Sequence, residues 1–463
     1  MKLILRGHNY NYAVEQTVAS LLPGEESGEL VSSLSCGKKY ASSVCIYRGV
    51  KGLARCPAEK LDDSAAQKLV RTAIYRAVRR SGLEKPPWGS LTGVRPGKLM
   101  RKAESVESFI REYDVSPERA ELCAESSEYT DAAEKSLSEK DVCLYVGIPF
   151  CPTRCAYCSF VSQSVEKSMM LVEPFFEALK KELIKEAEQL KLCSLSVAAI
   201  YFGGGTPTTL SAPQLDELCS LIEEGFDLSR LREFTVEAGR PDTITKEKLE
   251  VLKKHSVTRV SVNPQTMEDH VLEAIGRKHT AQEVKAALAL VRQEGDFAVN
   301  MDLIAGLPED SFEGFKKSFC EVLELAPENI TVHTLSLKRG SRITVGGIGV
   351  PDSAEVGKML DFAYEKLRQR GYRPYYLYRQ KNMSGGFENT GWTLQGQENL
   401  YNICMMEEIC SVIAAGAGGS TKLVRGDGGK NIRITAPKYP KEYIEQIEKT
   451  CSDKEKIGEF YGM

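Results

Sequence analysis

Three cysteines stand close together in the stretch YVGIPFCPTRCAYCSF, residues 145–160. Cys151, Cys155 and Cys158 have the spacing C-x3-C-x2-C. An apolar run from Val142 to Ile148 leads into them and ends at Pro149, so the thiols are expected on a loop just past a strand. Three thiolates are one short of a closed tetrahedral zinc site or a fully cysteine-ligated cluster. A [4Fe–4S] cluster held by three cysteines keeps one iron open, and S-adenosylmethionine can chelate that iron through its amino and carboxylate groups. An electron from the reduced cluster then cleaves the sulfonium and gives a 5′-deoxyadenosyl radical. Zinc is the competing reading, but its motifs usually pair C-x2-C with a second pair, and the next cysteine, Cys193, stands alone. Three incidental cysteines remain the other alternative at this point.

Further groups suited to such chemistry recur downstream at the ends of apolar runs. YFGGGTPT carries Gly203, Gly204, Gly205, Thr206 and Pro207, where glycines let backbone N–H groups approach a carboxylate or phosphate, or simply serve a tight turn. TVEAGRPD places Glu237, RVSVNPQTM places Gln265, IGRKHT places Arg277, and VNMDLIAGLPED places Asp302. One polar group at a strand end is usually a structural hydrogen-bonder. Polar groups at successive strand ends, on the side that carries the cysteines, suit a ligand with amino, carboxylate and ribose hydroxyl groups.

The elements that must hold these groups alternate regularly. Strands are expected near 142–148, 197–202, 232–238, 257–262, 297–303 and 329–335, with helices over 166–191, 212–224, 246–254, 281–294 and 312–325. Six strand–helix repeats make a parallel sheet, open or closed partway into a barrel, with ligands at the strands' C-terminal ends.

The rest of the chain bounds the answer. Of its 463 residues, 42% are hydrophobic and 27% charged, with a net charge of −3, so no global field argues for nucleic acid or an anionic membrane. The N-terminus lacks a signal-peptide pattern, and no apolar run approaches the roughly 20 residues of a membrane span. Fourteen cysteines then suggest a reducing cytoplasm rather than a disulfide framework. The eleven outside the motif are scattered and read mostly as small buried hydrophobes.

Four regions are expected. Residues 1–85 read as a small α+β domain: a strand in KLILRG, a helix over 12–22, three short strands, and a helix over 62–80 with an acidic start and basic end. Residues 86–140 read as a helical adaptor. Its Arg95, Lys98, Arg101 and Lys102, with Arg80 before them, are either solvated or an anion-binding patch. The main α/β domain covers 141–350, and an α/β extension on the substrate side covers 351–463. In that extension YRPYYLYRQKNMSGGFENTGW is rich in aromatics, suited either to stacking on a flat macrocycle or to ordinary edge packing. The later GAGG reads as a cofactor loop or a turn, and residues 438–463 as a hairpin exit and a terminal helix.

With C-x3-C-x2-C, GGGTP, Glu237, Gln265, Arg277 and NMDLIAGLP in this order, the chain resembles the radical S-adenosylmethionine superfamily. More narrowly it resembles the oxygen-independent coproporphyrinogen III oxidase group. Its N-terminal region and PYYLYRQKN…YN…MMEE pattern resemble the HemZ branch, coproporphyrinogen dehydrogenase. The resemblance implies a partial (β/α)6 barrel, with Cys151, Cys155 and Cys158 holding a [4Fe–4S] cluster. It sets Tyr145, Gly204 and Glu237 against the cluster-bound S-adenosylmethionine, Tyr145 as the catalytic-site residue. Tyr157, Gly205, Thr206, Gln265, Arg277 and Asp302 would line the adjacent cofactor or substrate space. The implied reaction converts two propionates of coproporphyrinogen III to vinyl groups, each losing hydrogen, carbon dioxide and an electron. A reducing donor such as a flavodoxin or ferredoxin is implied as partner. Two positions depart from the characterised oxidases: Gly147 stands where they have histidine, and Phe160 where they have a fourth cysteine. Three ligands still suffice for a cluster. The alternatives are a haem-binding chaperone of the same family, with His279 or His333 as axial ligand, and a radical enzyme acting on haem or another tetrapyrrole.

Overall fold

In the computed structural model, which describes residues 1–22, 25, 27–158, 163–337, 343, 349–380, 383–425 and 430–462, the chain divides into two units. The first comprises Met1–Ala124 with Arg379–Glu388, the second Glu125–Tyr378 with Asn389–Met463. Their boundary falls inside the helix Pro117–Ser136, within the stretch expected to be an adaptor. Phe160 lies outside the described residues.

In the first unit the expected elements form. Strands β1 (Lys2–Arg6), β2 (Glu29–Cys36), β3 (Tyr40–Tyr47) and β4 (Val50–Pro57) make one sheet in chain order, β1 parallel to β2 and the rest antiparallel. Alternate residues of β3, namely Ala41, Ser43, Cys45 and Tyr47, point into a core shared with helices α1 (Asn11–Leu21) and α2 (Asp63–Arg80). Helix α2 lies so close to β4 that a Cβ on Gly52 would come within 2.1 Å of the Ala73 carbonyl oxygen. The returning segment 379–388 is tied in by charge. The buried Glu388 carboxylate accepts from Trp88 Nε1 at 2.6 Å and pairs with Arg119 at 2.8 Å. Arg379 lies over the Trp88 ring and donates to the Leu91 carbonyl at 2.6 Å.

In the second unit all six expected strands form: β5 (Asp141–Ile148), β6 (Ser196–Gly204), β7 (Glu233–Glu237), β8 (Arg259–Ser261), β9 (Ala298–Ala305) and β10 (Asn329–Thr334). They are parallel neighbours in that order. Helices α3 (Val165–Leu192), α4 (Ala212–Gly225), α5 (Lys246–Lys254), α6 (Ala281–Glu294) and α7 (Phe312–Glu324) alternate with them. Side chains of Ser211, Thr245, Thr280 and Ser311 cap the starts of α4 to α7, so each helix begins where its strand-end loop requires.

The sheet is larger than the sequence suggests. Past helix α8 (Ser353–Gln369), strands β11 (Arg373–Tyr378) and β12 (Asn389–Thr393) add antiparallel beyond β10. Past helix α9 (Leu400–Glu407), strand β13 (Ser411–Ala415) pairs parallel with β5, making a seventh parallel strand. Strands β14 (Ser420–Leu423) and β15 (Ile432–Thr435) finish that edge, giving eleven strands in one open sheet. Close apposition fixes the join: Gly416 follows β13 with φ +99°, and a Cβ there would lie 2.1 Å from the Gly147 carbonyl oxygen. Residues 440–461 form three short helices, not one, and Lys454 among them is buried against Glu182 (2.8 Å) and Glu186 (2.5 Å) of α3.

The aromatic stretch resolves toward packing. Tyr372, Tyr375, Tyr376 and Trp392 are buried, and the Tyr376 ring lies where a Cβ on Gly391 would otherwise sit. Lys381 and Asn382 of that stretch lie outside the described residues. Among the described residues no helix is long and apolar enough to cross a membrane.

Candidate functional site

The cysteine loop leaves the C-terminal end of β5 and is pinned to its neighbours by specific bonds. Ala156 N donates to the Ile275 carbonyl at 2.9 Å, and Thr153 Oγ1 to the Gly276 carbonyl at 3.2 Å. Arg240 Nη2 donates to Thr153 Oγ1 at 2.9 Å. Cys151, Cys155 and Cys158 all stay partly exposed, although strand β5 behind them is almost wholly buried. Burial alone would raise the Cys155 thiol. The positive charges of Arg277 and Arg240 outweigh it and hold that thiol below its ordinary value, so a thiolate is favoured. Arg277 is itself fixed: it donates to the carbonyls of Asn263 (2.6 Å) and Gly239 (3.3 Å) and to the Tyr157 hydroxyl (3.3 Å).

The glycine run has a stated steric cause. Gly204 adopts φ +102°, and a Cβ on Gly205 would sit 2.5 Å from the Phe150 carbonyl oxygen, beside Cys151. That close passage lets Gly205 N bond the Ile148 carbonyl at 2.7 Å and Thr206 N the Phe150 carbonyl at 2.7 Å. Thr206 Oγ1 then lies 3.5 Å from Cys151 Sγ. The Tyr145 hydroxyl is 3.4 Å from where a Gly204 Cβ would stand. Glycine is therefore needed at 204 and 205 to bring this loop against the cysteines.

Across the same strand ends lie two carboxylates whose surroundings push them apart. Glu237, at the end of β7, accepts a hydrogen bond from Tyr201. Burial pushes its carboxyl up to about 7, the neighbouring Asp302 charge adding to the rise. Burial also acts on Asp302, but there His333 outweighs it, with Asn300 and Thr331 assisting, and the carboxyl is held below its ordinary value. His333 Nε2 lies 3.6 Å from Asp302 Oδ2, and Asn300 Nδ2 lies 2.9 Å from Oδ1. A proton-holding group and an ionised one thus sit on adjacent parts of one surface. Gln265 reaches this surface by bridging to β9 with φ +70°, its N–H bonded to the Asp302 carbonyl at 2.9 Å.

Tyr145, Tyr157, Gly204, Gly205, Thr206 and Arg277 thus gather about the cysteine loop, while Glu237, Gln265 and Asp302 line the next strand ends. Asn263 joins the two sets: its carbonyl takes the Arg277 bond, and its Oδ1 accepts from Asp302 N at 3.2 Å. Not anticipated were Arg240, Asn263 and a stack of Tyr145, Tyr201 and Tyr401, the last two with ring centroids 4.4 Å apart. Arg240 was visible in the motif TVEAGRPD and Tyr401 in the YN of the HemZ-like pattern, but nothing in the sequence placed the distant α9 beside Tyr145 and Tyr201. His279 is 4% exposed and pushed down to about 3, first by burial and then by Arg277 and Arg240. His333 keeps part of its surface exposed.

Three partly exposed cysteines past a parallel strand, one biased to thiolate, fit a cluster held by three ligands and define a radical S-adenosylmethionine protein. Residues 145–319 match the Radical SAM superfamily. The chain is 42% identical over 385 residues to the oxygen-independent coproporphyrinogen-III oxidase-like protein HemZ of Bacillus subtilis, covering 80% of this chain and 77% of that one. It is 32% identical to the heme chaperone HemW of Lactococcus lactis, over 59% of this chain and 68% of that one. The solved coproporphyrinogen III oxidase HemN of Escherichia coli shares the fold at 21% identity and a TM-score of 0.56, over 70% of this chain and 73% of that one. The chain belongs to the HemZ-like family of radical S-adenosylmethionine enzymes, whose cofactors are a [4Fe–4S] cluster and S-adenosylmethionine.

Proposed function

We propose that this chain carries out the oxygen-independent oxidative decarboxylation of coproporphyrinogen III to protoporphyrinogen IX, in haem biosynthesis. The likeness to HemZ across most of both chains carries the reading. The reaction removes a hydrogen atom, carbon dioxide and one electron from each of two propionates. It therefore needs an acceptor for that electron as well as a low-potential donor, of the flavodoxin or ferredoxin class, for the reductive cleavage of S-adenosylmethionine.

In this reading Cys151, Cys155 and Cys158 hold the cluster, which together with S-adenosylmethionine supplies hydrogen-abstracting one-electron chemistry. Arg277 and Arg240 offset the negative charge gathered there. Gly204 and Gly205 let their loop close against the backbone beside Cys151, where it walls the ligand space. Glu237, once ionised, would meet an ammonium or ribose hydroxyl, and Tyr145 and Tyr157 would wall that space from water. Gln265 and Asp302 line the substrate side, where Asp302 stays ionised because His333 faces it.

Haem carriage is the second reading, favoured by the HemW likeness and by a partly exposed His333 at the strand ends. The test is anaerobic incubation of reconstituted protein with reductant, S-adenosylmethionine and coproporphyrinogen III. Loss of two carboxyl groups, with matching 5′-deoxyadenosine, is the expected result. An unchanged tetrapyrrole together with stoichiometric haem binding, lost in His333→Ala, would replace it with the carrier.

A further inference from the structure

Away from the motif, three more cysteines converge. Cys143 on β5, Cys404 on α9 and Cys410 just before β13 are buried, and their sulfurs all lie within 4.8 Å of one another. All three were expected to be scattered apolar fillers; the fold instead brings them to one point from three elements. We propose that they form a second metal site, distinct from the C-x3-C-x2-C loop, that takes a single thiophilic d10 cation.

The geometry suits one small ion. A metal–sulfur bond of about 2.3 Å in a three-sulfur shell sets the sulfurs about 4.0 Å apart, so little contraction is needed. The donor set is soft, which selects copper(I) or zinc over harder ions. The surroundings include Ala133, Ala199, Leu400, Ile403 and Val412, and among the described residues no imidazole or carboxylate joins the group. A shell of three sulfurs with no fourth side chain favours copper(I), which accepts three-coordination, over zinc, whose structural sites take four ligands. Cys410 Sγ donates to the Asp141 carbonyl at 3.1 Å, a bond that ligation would exchange for one to the ion. Such an ion would clamp α9 and the start of β13 to β5, one pair of residues along the strand from Tyr145.

The test takes the cluster-loaded protein under anaerobic conditions, offers it Zn²⁺ or acetonitrile-stabilised Cu⁺, and removes unbound metal. Iron, zinc and copper are then counted, and the X-ray absorption edge of the added ion is recorded. The expected result is one added copper ion per chain with a sulfur-only shell near three, zinc being held more weakly and only with a fourth, oxygen ligand. Cys404→Ser should lose that ion while retaining its iron. Retention of neither metal, a shell containing nitrogen, or an ion lost with Cys151→Ser but kept in Cys404→Ser would overturn the proposal. So would a chain two mass units light, with two of Cys143, Cys404 and Cys410 joined as a disulfide. Should Cys404→Ser fail to fold, the absorption edge of the unaltered chain decides alone.

Discussion

At the scale of single residues, charge placement governs the candidate site. Arg277 is buried, held by two carbonyls and a tyrosine, and its charge favours the Cys155 thiolate. Arg277→Ala should therefore weaken S-adenosylmethionine binding by about ten- to a hundredfold, the worth of a charge-assisted hydrogen bond of roughly 1.5–3 kcal/mol. Equilibrium dialysis under anaerobic conditions reads this directly, and unchanged affinity would make Arg277 a purely structural residue. Glu237 gives a pH signature. Its carboxyl, pushed up to about 7, is neutral below that pH and ionised above it. A cationic ligand group prefers the ionised form, so affinity should rise with pH between 6 and 7.5, by about tenfold per unit at most. Glu237→Gln should flatten the profile. In the unliganded chain the sign reverses: the raised value favours folding below the ordinary carboxylate range, and that contribution is lost as pH climbs through about 7. Cys151, Cys155, Glu237 and Asp302 were visible in the sequence because each follows or ends a recognisable apolar run, although β9 continues three residues past Asp302 to Ala305, beyond where the run was expected to end. The opposite fates of the two carboxylates were not, because His333 and Tyr201 reach them from other strands.

At the scale of elements, the parallel repeat was legible, because strand and helix periods alternate cleanly from Val142 to Thr334. Strand β13 was not. It is five residues long, SVIAA, and its place beside β5 is set by the fit of Gly416 on Gly147, a contact between residues remote in sequence. Gly147, where the characterised oxidases carry histidine, thus lies at a seam with little room, its own Cβ position 3.1 Å from the Tyr145 ring. Gly416→Ala should disrupt that seam, lowering the thermal midpoint and releasing iron on standing. A variant with wild-type midpoint and iron content would show the seam to be compliant. Glu182 and Glu186 lie on the long helix α3, and both are buried on Lys454. Lys454→Met leaves two carboxylates without their cation, and the expected loss is about 3–5 kcal/mol in a denaturant titration. Adding Glu182→Gln and Glu186→Gln should recover much of it. A single Lys454→Met variant with unaltered midpoint would contradict the buried pairing.

For the whole molecule, the sheet brings the cysteine loop, the glycine passage and the strand-end carboxylates to one end of seven parallel strands, which is where α/β folds collect ligands. The family follows from that architecture and from the HemZ likeness, while the substrate rests on the chemistry performed there. The measurement that tests it most directly uses coproporphyrinogen III deuterated on its propionate side chains, with reduced protein and S-adenosylmethionine in the absence of oxygen. The account predicts deuterium in the 5′-deoxyadenosine, with two vinyl groups formed for two equivalents released. Deuterium-free 5′-deoxyadenosine with an unaltered tetrapyrrole would contradict it.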